Sequence, residues 1–198
     1  MRITGGTFRG RKITVPKGLA IRPTADLVRE AIFNIIGHDL SGCFFLDLFA
    51  GTGVLSLEAL SRGCEAAVVV DFSPRALESI RRNAASLDLT DRVRIIRHDL
   101  RKGLGPLAGL GMTFQLVFID PPYDSGLLVP TLERLDASVL LQPSCLVIAE
   151  HAAKSEAMPA FRRLTQWTQR SYGQSRITMF QYRHAEDYPG ADKGPFSQ

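Results

Sequence analysis

Phe44-Phe45-Leu46-Asp47-Leu48-Phe49-Ala50-Gly51-Thr52-Gly53 is the stretch on which the fold of this chain turns. The run Phe44–Phe49 has the length and apolar character of a buried strand. A Gly-x-Gly turn follows it, and then a helical pattern through about Arg62. A strand that runs into such a turn and then a helix lets backbone approach a ligand closely. On its own the turn has a second explanation, a tight structural bend.

Outward from this unit the pattern repeats. Ala66–Val70 is a second apolar run and ends in Asp71. Pro74 opens a helix through about Leu87, with Arg75, Glu78, Arg81 and Arg82 on its wet side. Val93–Ile96 and Leu116–Ile119 are further runs, and a helix near 127–138 precedes a strand over Cys145–Ala149. Continuous apolar strands separated by helices predict a parallel sheet covered on both faces. With right-handed crossovers this is a doubly wound, Rossmann-like α/β sheet. Leu164–Tyr172 and Arg176–Arg183 flank Gly173-Gln174-Ser175. They read as a hairpin that sets an antiparallel strand into the sheet. Residues 185–198 read as a disordered tail.

Four carboxylates fall at strand ends. Asp71 follows Asp47 by 24 residues and can accept from both ribose hydroxyls of a nucleoside. A dinucleotide fingerprint would want a small residue three positions after Gly53 and a helix N-terminus free for pyrophosphate. Position 56 is Ser, and Asp47 would repel a pyrophosphate. Asp47 could instead pair with a cationic amino-acid moiety, which favours S-adenosylmethionine. Asp99, after the third strand, falls at the adenine end of such a pocket; alone it is equally an exposed turn residue.

Asp120-Pro121-Pro122-Tyr123 ends the fourth strand, where open α/β sheets place their ligands. Proline has no N–H to donate. The carboxylate of Asp120 and the carbonyl of Pro121 can therefore act as two acceptors for one planar amino group. A nucleobase amine is a poor nucleophile because its lone pair is delocalised into the ring. Two acceptors on its hydrogens draw it toward a pyramidal, more nucleophilic form. Tyr123 offers a face for base stacking, worth ~1–3 kcal/mol.

The chain has 198 residues, 45% hydrophobic and 22% charged, which is the composition of one large globular domain. No stretch approaches the ~18–20 apolar residues of a membrane span, and no signal-peptide core stands at the start. A soluble cytoplasmic protein is the expectation. Cys43, Cys64 and Cys145 are scattered, as are His38, His98, His151 and His184, so neither a disulfide framework nor a metal site is expected. The net charge is +4, yet residues 1–30 hold seven basic groups (Arg2, Arg9, Arg11, Lys12, Lys17, Arg22, Arg29) against Asp26 and Glu30. The other 168 residues hold 17 basic and 18 acidic groups. On charge alone this is either a solvated basic surface or a polyanion site. The pieces Arg2-Ile3-Thr4 and Lys12-Ile13-Thr14-Val15 around Gly5-Gly6 and Gly10 predict a hairpin-like arm. Arg22-Pro23-Thr24 leads into a helix capped by Thr24 and ended by Gly37, with Leu27, Ala31, Phe33, Ile35 and Ile36 on its apolar side.

These motifs resemble the RsmD-type methyltransferases, S-adenosylmethionine-dependent bacterial enzymes acting on guanine N2 in small-subunit (16S) ribosomal RNA. The likeness rests on Arg2-Ile3 with Gly5-Gly6, the run Phe8-Arg9-Gly10-Arg11-Lys12, Arg22-Pro23-Thr24 with Arg29-Glu30, and Phe33-Asn34. It extends through Asp47–Gly53, Glu58-Ala59-Leu60-Ser61-Arg62-Gly63 and Asp120–Tyr123. The resemblance implies the class I methyltransferase fold, a seven-stranded sheet with one antiparallel strand. It divides the chain into an RNA-binding extension (1–40), a methyltransferase domain (41–184) and the tail. It implies that Asp47, Gly51, Gly53, Asp71 and Asp99 bind S-adenosylmethionine, with Phe49, Ala50, Thr52, Phe72 and Leu100 completing that set. It implies that Asp120, Pro121, Pro122 and Tyr123 hold the guanine, of the guanine-966 type. Many relatives carry Glu where this chain has Asp71, which keeps the charge but shortens the reach. Arg9, Arg11, Lys12 and Arg22 are then expected to contact ribosomal RNA, free or within a small-subunit assembly particle.

The expected chemistry is direct in-line transfer, with no metal and no covalent enzyme intermediate. Positioning carries most of the rate, and the target base must be flipped out or already unpaired. The alternative is an amino-methyltransferase acting on adenine N6 of nucleic acid or on a protein glutamine. Relatives of both kinds often have Asn at the first position of the tetrapeptide. A nucleotide-dependent oxidoreductase and a non-catalytic RNA-binding factor are more distant rivals.

Overall fold

The computed structural model describes residues 1–15 and 25–183. Five of its strands fall on the apolar runs and lie parallel: β1 (Phe44–Leu48), β2 (Ala66–Asp71), β3 (Val93–Arg97), β4 (Phe114–Ile119) and β5 (Leu141–Ala152). β6 (Leu164–Tyr172) and β7 (Ser175–Tyr182) form the C-terminal hairpin. The sheet order is β3-β2-β1-β4-β5-β7-β6, and β7 is antiparallel to both of its neighbours. The chain reverses its direction of winding between β1 and β4, so a crevice opens there at the strands' C-terminal ends.

Alternate residues of each strand face two separate cores. Phe45, Val69, Phe118 and Ile148 pack with α1 (Ala25–Ile36), α2 (Val54–Ser61) and α3 (Pro74–Ser86). Leu46, Val68, Val117 and Val147 pack on the opposite face with Leu132 and Leu135 of α5 (Leu128–Asp136); a short α4 (Gly105–Ala108) adds Leu107. Burial on both faces is why these strands read as unbroken apolar runs.

Two strands are longer than the sequence suggests. β5 begins at Leu141, because Gln142-Pro143-Ser144 is absorbed as an irregularity: Ser144 has φ 64°, and the register against β4 shifts between Phe114 and Leu116. Proline within a sheet is confined to such places. β4 correspondingly starts at Phe114, which is fully buried. In α1 the apolar side is carried by Val28, Ile32 and Phe33, whereas Leu27 is 58% exposed. Thr24, its expected cap, lies outside the described residues, as does the 185–198 tail.

The arm does form a hairpin. Arg2 bridges Lys12, and Ile3 N–H donates to Arg11 O at 3.0 Å. Ile3 and Ile13 are buried in the same core as α1 and α2. Gly6 lies so close to α2 that a Cβ would stand 1.8 Å from Ser61 O, and its φ is +73°. The arm is therefore clasped onto the sheet's cover helices. Its contacts with α3 run from Ser86, met by Arg11, to Ser79 and Asn83, met by Thr14. It thus runs along α3 toward that helix's N-terminus.

Candidate active site

Glycine geometry shapes the first wall of the crevice. Past β1 the chain turns through Phe49 (φ 67°), Gly51 (φ 55°) and Gly53 (φ 71°). A left-handed Phe is strained, and such residues collect at functional sites. Gly53 is packed against α3, where a Cβ would meet Ile80 Cγ1 at 2.7 Å. Gly51 N–H donates to Asp71 Oδ2 at 2.8 Å, and Ser73 N–H donates to Asp71 Oδ1 at 2.7 Å. Asp71 is therefore held rigidly at the end of β2 by two backbone donors. Ser73 also caps α3, with Pro74 at its first turn.

A cavity of about 970 Å³ occupies the crevice. Of the expected cofactor residues, Phe49, Gly51, Asp71, Phe72, Asp99 and Leu100 line it. Asp120, Pro121, Pro122 and Tyr123 line it from the other side, as do His98, Arg101 and Gln174. Phe72 is 57% exposed and has the Arg97 guanidinium 5.9 Å from its ring centroid. Ala50, Thr52 and Gly53 build the turn behind the lining.

Asp47 lies beneath the cavity. It is 1% exposed and accepts from Ser56 Oγ at 2.5 Å. Burial pushes its carboxyl up to about 7; Ser56 pulls the other way, and the nearby Asp120 and Asp71 charges push further up. Asp99 has the opposite character. The Arg101 side chain grips both of its oxygens, at 2.8–3.1 Å, and holds its carboxyl down at about 2. An adenine amine reaching Asp99 would share it with that guanidinium.

The proline tetrapeptide forms a thin partition. Tyr123–Ser125 is a single 3₁₀ turn, closed by Ser125 Oγ donating to Pro122 O at 2.6 Å. Behind it lies a second cavity of about 510 Å³, which shares Pro121, Pro122 and Tyr123 and adds Glu150, His151 and Met158. Tyr123 Oη is 2.7 Å from Ser175 Oγ and 3.4 Å from Glu150 Oε1, and Ser175 Oγ donates to the same carboxyl oxygen at 3.0 Å. His151 sits between Ser155 Oγ (2.5 Å) and Thr178 Oγ1 (2.9 Å), and burial lowers its pKa.

Sequence reasoning does not single out Glu150, Ser175, Ser56 or Arg101. Glu150 carries a usable signal, since it directly follows the apolar run Cys145–Ala149, as Asp71 and Asp120 follow theirs. Ser175 and Ser56 carry none, because a serine's partner is set by tertiary contact. Of the expected RNA-binding residues, Arg9, Arg11 and Lys12 are exposed on the arm, with Arg11 donating to Ser86 O at 2.7 Å. Arg22 lies outside the described residues. Among the described residues no group of three or more His, Cys, Asp or Glu could hold a metal ion, and no helix is long and apolar enough to cross a membrane.

Similarity to known proteins follows the same outline. The family model described as "Conserved hypothetical protein 95" matches residues 1–181. Ribosomal RNA small subunit methyltransferase D of Escherichia coli K12 is 35% identical over 150 residues, 76% of this chain and 74% of that one. The solved structure of yhhF from Escherichia coli superposes with a TM-score of 0.79 at 32% identity, covering 92% of this chain and 98% of the other. A conserved hypothetical protein of Streptococcus pyogenes gives 0.72 at 34% identity, over 78% and 95%.

Proposed function

We propose, because this chain belongs to the RsmD-type methyltransferase family, that it transfers a methyl group from S-adenosylmethionine to the exocyclic N2 of a guanine in small-subunit ribosomal RNA, of the guanine-966 type. The observation that carries this reading is the Asp120–Tyr123 partition between the cavity at the class I cofactor position and a second cavity behind it.

The residues of the first cavity suit the cofactor. The fixed Asp71 carboxylate meets a ribose diol, the exposed Phe72 ring offers an apolar face to adenine, and the glycine turn admits close backbone approach. Asp47 would answer the positive charge of the amino-acid end from below. When bound, S-adenosylmethionine supplies a methyl group already activated by a sulfonium.

The protein's part is to orient the acceptor. Asp120 and the Pro121 carbonyl accept from the two hydrogens of the guanine amine, localising its lone pair toward the methyl. Tyr123 stacks on the base and holds its plane. Once the oriented amine has accepted the methyl group, a proton would leave its nitrogen. Asp120, which accepts from that hydrogen, takes the proton.

Asp120→Ala is the direct test. It should bind S-adenosylmethionine with parental affinity and lose methyl transfer by at least about 10²-fold, the scale of losing one positioned electrostatic partner. Near-parental turnover would show that Asp120 does not activate the amine.

A further inference from the structure

The second cavity holds a carboxylate with a defined relation to the tetrapeptide. In the parallel β4–β5 pair the last register partners are Ile119 and Ala149. Asp120 and Glu150 each stand one residue further, at the C-terminal ends of adjacent strands. Paired positions of a parallel sheet share a face. Both residues also stand against the partition, since Asp120 begins the tetrapeptide and Glu150 lines the cavity behind it. Glu150 is only 7% exposed, and Ser175 and Tyr123 fix one of its oxygens. Tyr123 is also the ring on which the acceptor base would stack.

We infer that Glu150 is a specificity-determining residue that reads the N1–H of the acceptor guanine. This rests on the function proposed above and selects among its substrates. Guanine presents two neighbouring donor groups on its Watson–Crick edge, the N2 amine and N1–H. With the amine held by Asp120 and the Pro121 carbonyl, the adjacent N1–H falls toward the next strand, and the Glu150 carboxylate accepts from it alongside its bonds within the protein. Adenine presents its amine beside a bare N1 lone pair. A carboxylate facing that lone pair repels it, so an adenine seated by its amine is disfavoured. A site built to hydrogen-bond a substrate N–H discriminates strongly against an analogue that lacks it.

2-Aminopurine keeps the C2 amine and replaces N1–H with a lone pair; it also lacks O6, so the N1–H contact is read from how the preference changes in a Glu150 variant. The test is kcat/KM for methyl transfer to a small-subunit RNA fragment carrying guanine or 2-aminopurine at the mapped acceptor position. The wild type should favour guanine at least about tenfold. Glu150→Gln, whose amide can accept from or donate to N1, should lower that ratio several-fold while leaving S-adenosylmethionine affinity unchanged. A wild-type ratio near one overturns the assignment without any variant. So does a Glu150→Gln protein that loses activity on both substrates equally, which marks a structural residue. A wild type that methylates no small-subunit RNA overturns the functional reading itself, and this assignment with it.

Discussion

Asp47 is a carboxylate that the fold makes hard to ionise. Burial raises its pKa from the ordinary 3.8 to about 7, against the pull of Ser56. The folded protein therefore binds this proton more tightly than the unfolded chain does. Its contribution to stability falls as pH rises from about 4 to about 7 and is constant above that. The full loss is on the order of 4 kcal/mol at 1.36 kcal/mol per pKa unit. Asp47→Asn keeps an acceptor for Ser56 and removes the titration. Its unfolding free energy, measured in urea across pH, should gain on the parent between pH 4 and 7 and run parallel above. A gap that does not change with pH would contradict the assignment. A cation arriving above such a buried, reluctant carboxylate favours its charged form.

At the scale of elements, the arm and α2 act as one unit. Glu58 is fully buried on α2 and accepts from Thr4 N–H at 2.8 Å, Thr4 Oγ1 at 2.7 Å and Arg62 Nη2 at 2.8 Å. Arg62 stacks over Phe33 of α1, and the buried Arg29 of α1 donates to Arg2 O at 2.8 Å. Removing one partner from such a cluster leaves buried charge uncompensated. Glu58→Ala should therefore cost about 3–5 kcal/mol. Limited proteolysis should cut the arm early in that variant, whereas a melting temperature within a degree of the parent would show the clasp to be dispensable. This cluster also marks where sequence reading stops. Unbroken apolar runs, the glycine turn and the strand-end carboxylates are local signals, so the sheet, the C-terminal hairpin and most of the first cavity can be read directly. Glu58 and Arg29 look like ordinary helix surface charges, because nothing local tells that an arm will cover them. β5 reads short because Pro143 and Ser144 mimic a loop, and Glu150 at its far end then looks like the start of the next loop.

Over the whole molecule the charge is segregated. The body is near neutral, and the basic residues Arg9, Arg11 and Lys12 are displayed on an arm that follows α3 toward the first cavity. Phosphate contacts position a nucleic acid without reading its sequence. Replacing these three residues by Gln should weaken RNA binding and lower the slope of log K against log salt by about 2–3, at roughly 0.7–0.9 per phosphate contact. S-adenosylmethionine affinity should be unchanged; an equal loss of cofactor binding would make the arm a purely structural element. The most direct test of the function is methyl transfer itself. Small-subunit ribosomal RNA from cells lacking the gene, free or in particles, is incubated with the protein and methyl-labelled S-adenosylmethionine, then digested to nucleosides. The predicted result is label in N2-methylguanosine at one position, absent with Asp120→Ala. Label in N6-methyladenosine, or no label in either RNA form, would contradict it.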